Sequence, residues 1–333
     1  MGFRRTIRIA TRGSALALAQ ANSVLTQCRV NNPDFDFELR IIRTTGDKLQ
    51  AVAIADTSEP LPKGLFTKEL EVALLENEAD LAVHSLKDLP TGLPDGLKLG
   101  AVLKRADVRD VLIYRGPELQ AYSTSASSSC RQTLKPHATI TDFLPASTIA
   151  TASTRRQAQL LCLRPDLNVI PIRGNVGTRL KKLADQNELD GLVLALAGIT
   201  RLRFEIAPDG SLNGDEIPKG LSVTVFSTDE MLPCVGQGAI GIETRENDPS
   251  TQAICDRLND AATHSCVAAE RAFLHAMGGG CLSPVAAFAE PQGSSIRLRA
   301  ASFREGQNRR ADQTVPIDQA LEVGKSLAQQ LLS

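Results

Sequence analysis

Tryptophan is absent from this 333-residue chain and tyrosine occurs only twice, so aromatic residues make up just 4% of it. Alanine, leucine, valine and isoleucine must therefore build the cores, which suits layered α/β packing better than an aromatic-rich β-sandwich. No apolar run reaches the ~20 residues that a membrane span requires. An apparent strand begins at Thr6 and leaves no room for a leader segment, so we expect a cytoplasmic protein with no membrane association. The cysteines, Cys28, Cys130, Cys162, Cys234, Cys255, Cys266 and Cys281, are odd in number, scattered and without a C-x-x-C pair. That argues against a disulfide framework and a structural zinc site, and most are expected to be buried thiols. Charge of neither sign predominates: 37 basic and 38 acidic residues leave a net charge of −1, and no global field draws the chain to nucleic acid. Histidine is scarce and has no partners at ligand spacing, so no metal is expected.

What is present is an α/β alternation. TIRIA (6–10) reads as a strand, Ser14 as the cap of a helix running toward Val30, and FELRIIR (37–43) as a half-buried strand. After a Pro-bounded loop (55–64), Thr67 is placed to cap a helix with Glu69 and Glu71 in its first turn, and DLAVHS (80–85) reads as a buried strand. A second run follows: strand 148–151, helix from Thr154 to Leu163, strand 168–172, helix 176–186 and the apolar strand GLVLALAG (191–198). Two such runs predict two similar α/β domains with parallel sheets and a cleft between them. The expected division is residues 1–107 with 236–247, then 108–235, then a smaller α+β domain over 248–333 with strands at 285–290 and 296–303 and a helix after Pro316. The Ser-rich stretch 117–147 reads as a surface insertion, and 207–220 as a second surface loop. Hinges are expected near 105–110 and 230–245.

Arginines recur where strands give way to helices. Arg12 and Ser14 follow the first strand; Ser153, Arg155 and Arg156 follow the strand at 148; Arg173 and Gly174 open RGNVGTR, with Arg179 beyond. Ligands of open α/β sheets bind beyond the carboxyl ends of the strands, and helix N-termini favour anions. Any one of these arginines can equally be a solvated helix position; their recurrence at equivalent points argues for a cleft that binds several carboxylates or phosphates. HSLKDLP (84–90) sets His84, Lys87 and Asp88 at the end of a buried strand. Asp88 there either passes protons and steadies a cation, or merely caps a turn with Lys87 as partner. GGGCLSP sets Cys281 after three glycines that give up backbone entropy. It reads as a small buried hydrophobe, as an exposed thiol reaching the cleft, or as a partner of His275.

RIATRGSALALAQA (8–21), TTGD (44–47), KGLFTKELEVALLENEADLAVHSLKDLPT (63–91), RRQAQL (155–160), RPDLNVIPIRGNVGTRLKKL (164–183), LALAGITRL (194–202), LPCVGQGAIGIE (232–243) and GGGCLSPVAAFAE (278–290) together resemble the porphobilinogen deaminase (hydroxymethylbilane synthase) family over nearly the whole chain. The resemblance implies two type II periplasmic-binding-like α/β domains and a smaller C-terminal one. It implies a dipyrromethane cofactor held through a thioether at Cys281, to which four porphobilinogen units are added with loss of ammonia before hydrolysis frees hydroxymethylbilane. Asp88 matches the family's catalytic aspartate. Lys87, Ser153, Arg155, Arg156, Arg173, Gly174 and Arg105 match cofactor-binding positions; Arg12, Ser14, Arg179, Arg201 and Phe66 match substrate-binding ones. Residues 48–64 correspond to a mobile loop. A monomer is expected, with functional hand-off to uroporphyrinogen III synthase. Two departures stand out: Ala152 replaces the first of two serines before the paired arginines, and the 117–147 insertion has no counterpart in compact bacterial members. The competing readings are a non-catalytic binder of small carboxylate anions on the same fold and, less well fitted, a nucleic-acid binder.

Overall fold

The computed structural model describes residues 4–47, 65–117, 134–186, 188–280 and 283–333. In the first domain β1 (Thr6–Arg12), β2 (Asp36–Ile42), β3 (Leu81–Ser85), β4 (Leu97–Val102) and β12 (Ile240–Arg245) form a sheet of order β2-β1-β3-β12-β4. In the second, β5 (Asp110–Arg115), β6 (Thr148–Ala150), β7 (Asn168–Ile170), β8 (Gly191–Ala195) and β11 (Leu221–Val225) form one of order β7-β6-β8-β5-β11. The two orders are the same. A first parallel strand lies between the second and third, and then comes a strand running against them, contributed as the chain enters or leaves the other domain: β12 in the first sheet, β5 in the second. This is the type II periplasmic-binding arrangement. The sheets are thus mixed, not parallel throughout as the βαβ pattern predicts, because periodicity reveals a strand but not its direction.

Helices cover the sheets. Ser14 caps α1 (Ala15–Asn31) by accepting the Ala17 N–H at 3.3 Å, as expected. Thr67 precedes α2 (Lys68–Leu75) but its hydroxyl makes no capping bond. Ser153 caps α3 (Thr154–Leu163) and Asn175 caps α4 (Val176–Asp185). The apolar run at 191–198 does not stay a strand: its partner β5 begins at Asp110, opposite Ala195, so the ladder ends there and the chain turns into α5 (Leu196–Arg201). The 207–220 loop is as expected, apart from a two-residue pairing of β9 (Glu205–Ile206) with β10 (Leu212–Asn213).

Residues 118–133 of the Ser-rich insertion lie outside the described residues. Its later part is not a surface loop: Leu134, Ala138, Ile140 and Phe143 are buried against Leu112, Ile149 and Leu160. Phe143 meets Tyr114 edge-on at 6.0 Å, and the Tyr114 hydroxyl accepts the Ala138 N–H while donating to the Lys135 carbonyl. Four apolar residues spread over ten positions have no regular period, which hid this core from a reading of the sequence.

The third unit is a meander of β13 (Val285–Gln292), β14 (Ser295–Ser302) and β15 (Arg309–Pro316), packed on α7 (Ala261–Ala276) and α8 (Ala320–Leu332) around Phe273, Ile296, Leu298 and Leu327. The sequence reading missed β15, whose RRADQTVP is mostly polar. It also began this unit at residue 248. Yet α6 (Pro249–Leu258) buries Ile254, Cys255 and Leu258 with Ile7, Ile9 and Ile242 in the first core, at about 1.5–3 kcal/mol per large side chain. We therefore propose that the third unit begins after Leu258.

Cys28, Cys255 and Cys266 are buried, and burial pushes their thiols up to about 12, 12 and 11. Cys162 is exposed and Cys234 half-buried; Cys130 and Cys281 lie outside the described residues.

Candidate active site

The turn after β3 is fixed from several sides. The Ser85 hydroxyl and the Gln20 amide exchange hydrogen bonds at 2.8 and 3.0 Å, tying the strand end to α1. Residues Leu86–Asp88 make one 3₁₀ turn, closed by the Leu89 N–H on the Leu86 carbonyl, and Pro90 prevents its extension. Leu86 and Leu89 are buried and act as pegs, which leaves Lys87 and Asp88 half-buried at the strand's carboxyl end. Arg271 of α7 donates to the carbonyls of Leu89, Pro90 and Thr91 at 3.1, 2.6 and 3.3 Å. From the other side Gly236 (φ +71°) lies so close that a Cβ there would come within 3.2 Å of the Leu86–Lys87 peptide. Only glycine fits both the conformation and the contact. His84, grouped with Asp88 by sequence, instead turns inward, its Nε2 2.9 Å from Glu243 Oε2.

Among the described residues no donor spends a hydrogen bond on the Asp88 carboxylate, so it does not act as a turn cap. Across the cleft its field reaches Arg179 on α4. Burial, with Arg156 adding to it and Asp88 opposing, pulls the Arg179 guanidinium down to about 10. Arg179 donates its Nε to the Gly174 carbonyl at 2.7 Å, and among the described residues its terminal nitrogens make no hydrogen bond. Gly174 needs to be glycine: its φ is +115°, and a Cβ would come 2.8 Å from the Thr178 side chain. Arg201, at the end of α5, donates to the Gly238 carbonyl at 2.6 Å and is likewise pulled down to about 10 by burial. Both remain cations at neutral pH. The first turns of α1, α3 and α4 contain no acidic residue, so their positive ends are left for an anion.

Other predicted site residues are already engaged. Arg12 pairs with Asp47, which also accepts from the Thr44 hydroxyl at 2.8 Å, and the Arg12 guanidinium lies 4.2 Å over the Phe66 ring. Burial raises the Asp47 carboxyl, but these bonds outweigh it and hold it below the usual range. Arg155 and Arg156 are 3% and 6% exposed, too buried to be free ligands. Asp110 at the start of β5 accepts from Arg155 Nη2 at 2.8 Å, from Arg156 Nε and Nη2 at 3.1 and 2.7 Å, and from Gln237 Nε2 at 2.9 Å. Burial alone raises the Asp110 carboxyl; the two guanidiniums reverse that and hold it below its ordinary value. Arg155 also donates to the Leu232 carbonyl, and Arg156 to that of Val193.

Arg105 is tied to Glu270 of α7 at 2.6 and 3.0 Å, and donates to the Gln237 carbonyl at 2.8 Å. Glu270, fully buried, also accepts the backbone N–H groups of Gly236 and Ala289, joining the crossover, α7 and β13. This geometry fits an interdomain tie better than a cofactor contact. Arg173 is exposed, and Lys87 stands beside Asp88. Ser14 and Ser153 accept backbone N–H bonds as caps, which leaves each hydroxyl proton for a ligand. Ala152 is exposed, so the departure from the usual serine falls on the surface of the cleft turn. Cys281 and the loop 48–64 lie outside the described residues; beside the cysteine, a Cβ on Gly278 or Gly280 would meet no atom within 4 Å.

Sequence reasoning missed Asp110, Gln237, Glu270 and Asp47. The available signal was a lone carboxylate or amide within an apolar stretch: DVLIY for Asp110, VGQGAIGI for Gln237.

The half-buried carboxylate faces unspent guanidinium nitrogens, and helix ends free of acid flank them. Such a cleft can hold a molecule bearing several carboxylates while a carboxylate of the protein attends a developing positive charge. The chain matches two family models: "Porphobilinogen deaminase, dipyromethane cofactor binding domain" over residues 7–253 and "Porphobilinogen deaminase, C-terminal domain" over 264–333. Its relatives include porphobilinogen deaminases of Syntrophus aciditrophicus (42% identical, covering 98% of this chain and 95% of that one) and Syntrophomonas wolfei (40%, with the same coverage). That of Desulforudis audaxviator is 42% identical over 99% and 95%. Among solved structures, the reduced OxyR regulatory domain superposes with a TM-score of 0.37 at 11% identity, over 76% of this chain and 97% of that one. The matches run through both α/β domains and the C-terminal unit, and on them the chain belongs to the porphobilinogen deaminase family.

Proposed function

We propose that the protein is a hydroxymethylbilane synthase of tetrapyrrole biosynthesis. It would release ammonia from porphobilinogen, join four such units head to tail, and free the linear tetrapyrrole by hydrolysis. The observation that carries the assignment of residues lies across the cleft: among the described residues no donor is spent on Asp88, and its field acts on Arg179, whose terminal nitrogens make no hydrogen bond to those residues.

In the protonated aminomethyl group the C–N bond breaks with its electron pair leaving as ammonia, and the positive charge passes to the methylene carbon and spreads onto the pyrrole ring. The Asp88 carboxylate accepts a hydrogen bond from the pyrrole N–H, which strengthens as that charge develops; hydrogen bonds to charged groups contribute about 1.5–3 kcal/mol each. The same carboxylate then assists removal of the ring proton after each coupling, a role that typically contributes about 10²–10⁴ in rate. Arg179, Arg201 and Arg173 hold the acetate and propionate groups, aided by the N-terminal ends of α3 and α4. Arg155 and Arg156 act indirectly, by holding the second domain's strand-helix junction in place.

This donor set fits a dipyrromethane, which also bears several carboxylates, and the open space at Gly278 and Gly280 suits a bulky substituent on the neighbouring Cys281. When bound, the dipyrromethane supplies the free pyrrole carbon to which the first unit is joined. A purely binding protein for small carboxylates is not favoured: such a protein has no use for the family's third domain.

No helix among the described residues is long and apolar enough to cross a membrane. We further propose that the enzyme acts in the cytoplasm as a monomer and passes its product to uroporphyrinogen III synthase. Light scattering that gives twice the 35.7 kDa chain mass would remove the monomer from this scheme. The experiment for the function itself is the intact mass of the denatured protein with peptide mapping. An excess of two linked pyrrole units on the Cys281 peptide is expected. A bare chain that gains no adduct after incubation with porphobilinogen would overturn the reading.

A further inference from the structure

Behind the catalytic turn, between the first domain and the helices α7 and α8, opens a groove of about 620 Å³. That is the size of a small-molecule site. Its walls are apolar where Leu99, Ala268 and Leu321 meet, and its polar lining includes His264, Arg271 and Lys325, with no carboxylate among the lining residues. The neighbouring Glu322 is turned to Lys325, 2.9 Å from its Nζ, and both are exposed.

The protonation of His264 follows from its partner. The Asn259 side-chain oxygen accepts the Val102 N–H at 2.9 Å, and the same oxygen lies 2.8 Å from His264 Nδ1. An oxygen cannot donate, so Nδ1 carries the proton. Burial, reinforced by Arg271, holds this imidazole below its ordinary value, and the ring is neutral at pH 7. Its Nε2 is therefore a lone-pair acceptor in a groove whose other polar lining is the cations Arg271 and Lys325 with the side chains of Thr91, His275 and Gln329.

We propose that this groove is a binding site, separate from the catalytic cleft, for a small amphipathic carboxylate. Its apolar body packs on Leu99, Ala268 and Leu321, its carboxylate is drawn by Lys325 and Arg271, and a hydroxyl or N–H on the body donates to His264 Nε2. Aromatic or branched bodies suit the shallow alanine floor, and a dianion without an apolar part does not. The site adjoins the chemistry, since Arg271 also fastens α7 to the carbonyls that follow Asp88. The proposal rests on the groove alone and not on the proposed activity.

The test uses 3-(4-hydroxyphenyl)propionate as probe on the full chain as purified, read by titration calorimetry. Saturable binding is expected, weakened about tenfold or more by Lys325→Glu, by Ala268→Phe, which fills the groove, and by methylating the probe's carboxylate. His264→Phe should abolish the preference for the phenol over its methyl ether. Lys325 is exposed, so its variant should keep the wild-type melting temperature and report on binding even if Ala268→Phe does not fold. No saturable binding to the wild type would overturn the proposal. So would binding that is unchanged by Lys325→Glu, or displacement by porphobilinogen with equal strength in wild type and variant, which would put the probe in the cleft.

Discussion

The first sheet ends its third strand next to Asp88, a carboxylate on which no donor is spent among the described residues; the second opens its antiparallel strand with Asp110, a carboxylate on which Arg155, Arg156 and Gln237 converge. The sheets share one strand order, and their first helices are capped alike by Ser14 and Ser153. What differs is the environment of the carboxylate. A turn held by its backbone, through Gly236 behind and Arg271 beside it, leaves a side chain half-exposed and available. A fully buried carboxylate must instead be paired, and its partners are thereby used up. Topological equivalence locates where a site can form, and burial decides which charged residues there remain free to act.

Exchanging the two carboxylates for alanine gives the largest effects. Asp88→Ala should lower product formation by 10² or more while the melting temperature stays within about 2 °C, because nothing folded depends on that side chain. Asp110→Ala should do the reverse first, costing about 3–5 kcal/mol by leaving two buried guanidiniums unpaired. Denaturant melts of both variants beside turnover assays separate the two roles, and equal stability loss in the two would dissolve the contrast.

Arg155 matches a cofactor-binding position of the family, which implies that Arg155→His impairs chain elongation or cofactor assembly more than folding. At 3% exposure, with its donors on Asp110 and Leu232, the structure predicts instead that Arg155→His lowers the melting temperature, and any loss of elongation should follow from that. A normal melting temperature with failed elongation would return Arg155 to the ligand side.

Arg179 tests the same contrast with smaller stakes for stability. Its folded value lies near 10, below that of a free guanidinium, so its burial works against folding at neutral pH, and that cost is relieved only as the pH rises through 10 and beyond. Arg179→Met should therefore stabilise the protein by about 0.5–2 kcal/mol while weakening substrate binding. A destabilised variant would mean that the guanidinium is structural after all.

The smallest effect is in acid. Asp47 and Asp110 are held below their ordinary value by arginines, so their contribution is complete above about pH 3.9 and is lost as the pH falls through the lower folded values. Stability should vary little from these groups between pH 7 and 4 and decline below. Asp110→Asn should flatten that decline, and an unchanged acid limb would contradict the assignment.

Much of this was legible in the sequence because short motifs fix local structure. Ser14 read correctly as a cap, HSLKDLP as a strand end with a turn, and the motif blocks led to the family, whereas Thr67, read the same way, makes no capping bond. The rest depended on contacts distant in sequence. Nothing near Arg155 and Arg156 reveals that Asp110, some 45 residues earlier, consumes them, or that Glu270 draws Arg105 into an interdomain tie across 165 residues. Strand direction in the crossovers, the core hidden in residues 134–147 and the allegiance of α6 to the first domain were set by packing in the same way.

The central claim is that Asp88 performs the chemistry on a scaffold that does not need it. The most direct measurement is the ammonia and linear tetrapyrrole released from porphobilinogen by wild type and Asp88→Ala, matched for folded protein by calorimetry. The account predicts about four ammonia per tetrapyrrole from wild type and release of both lowered by about 10² or more in a fully folded variant. Comparable release of both by the variant would contradict it.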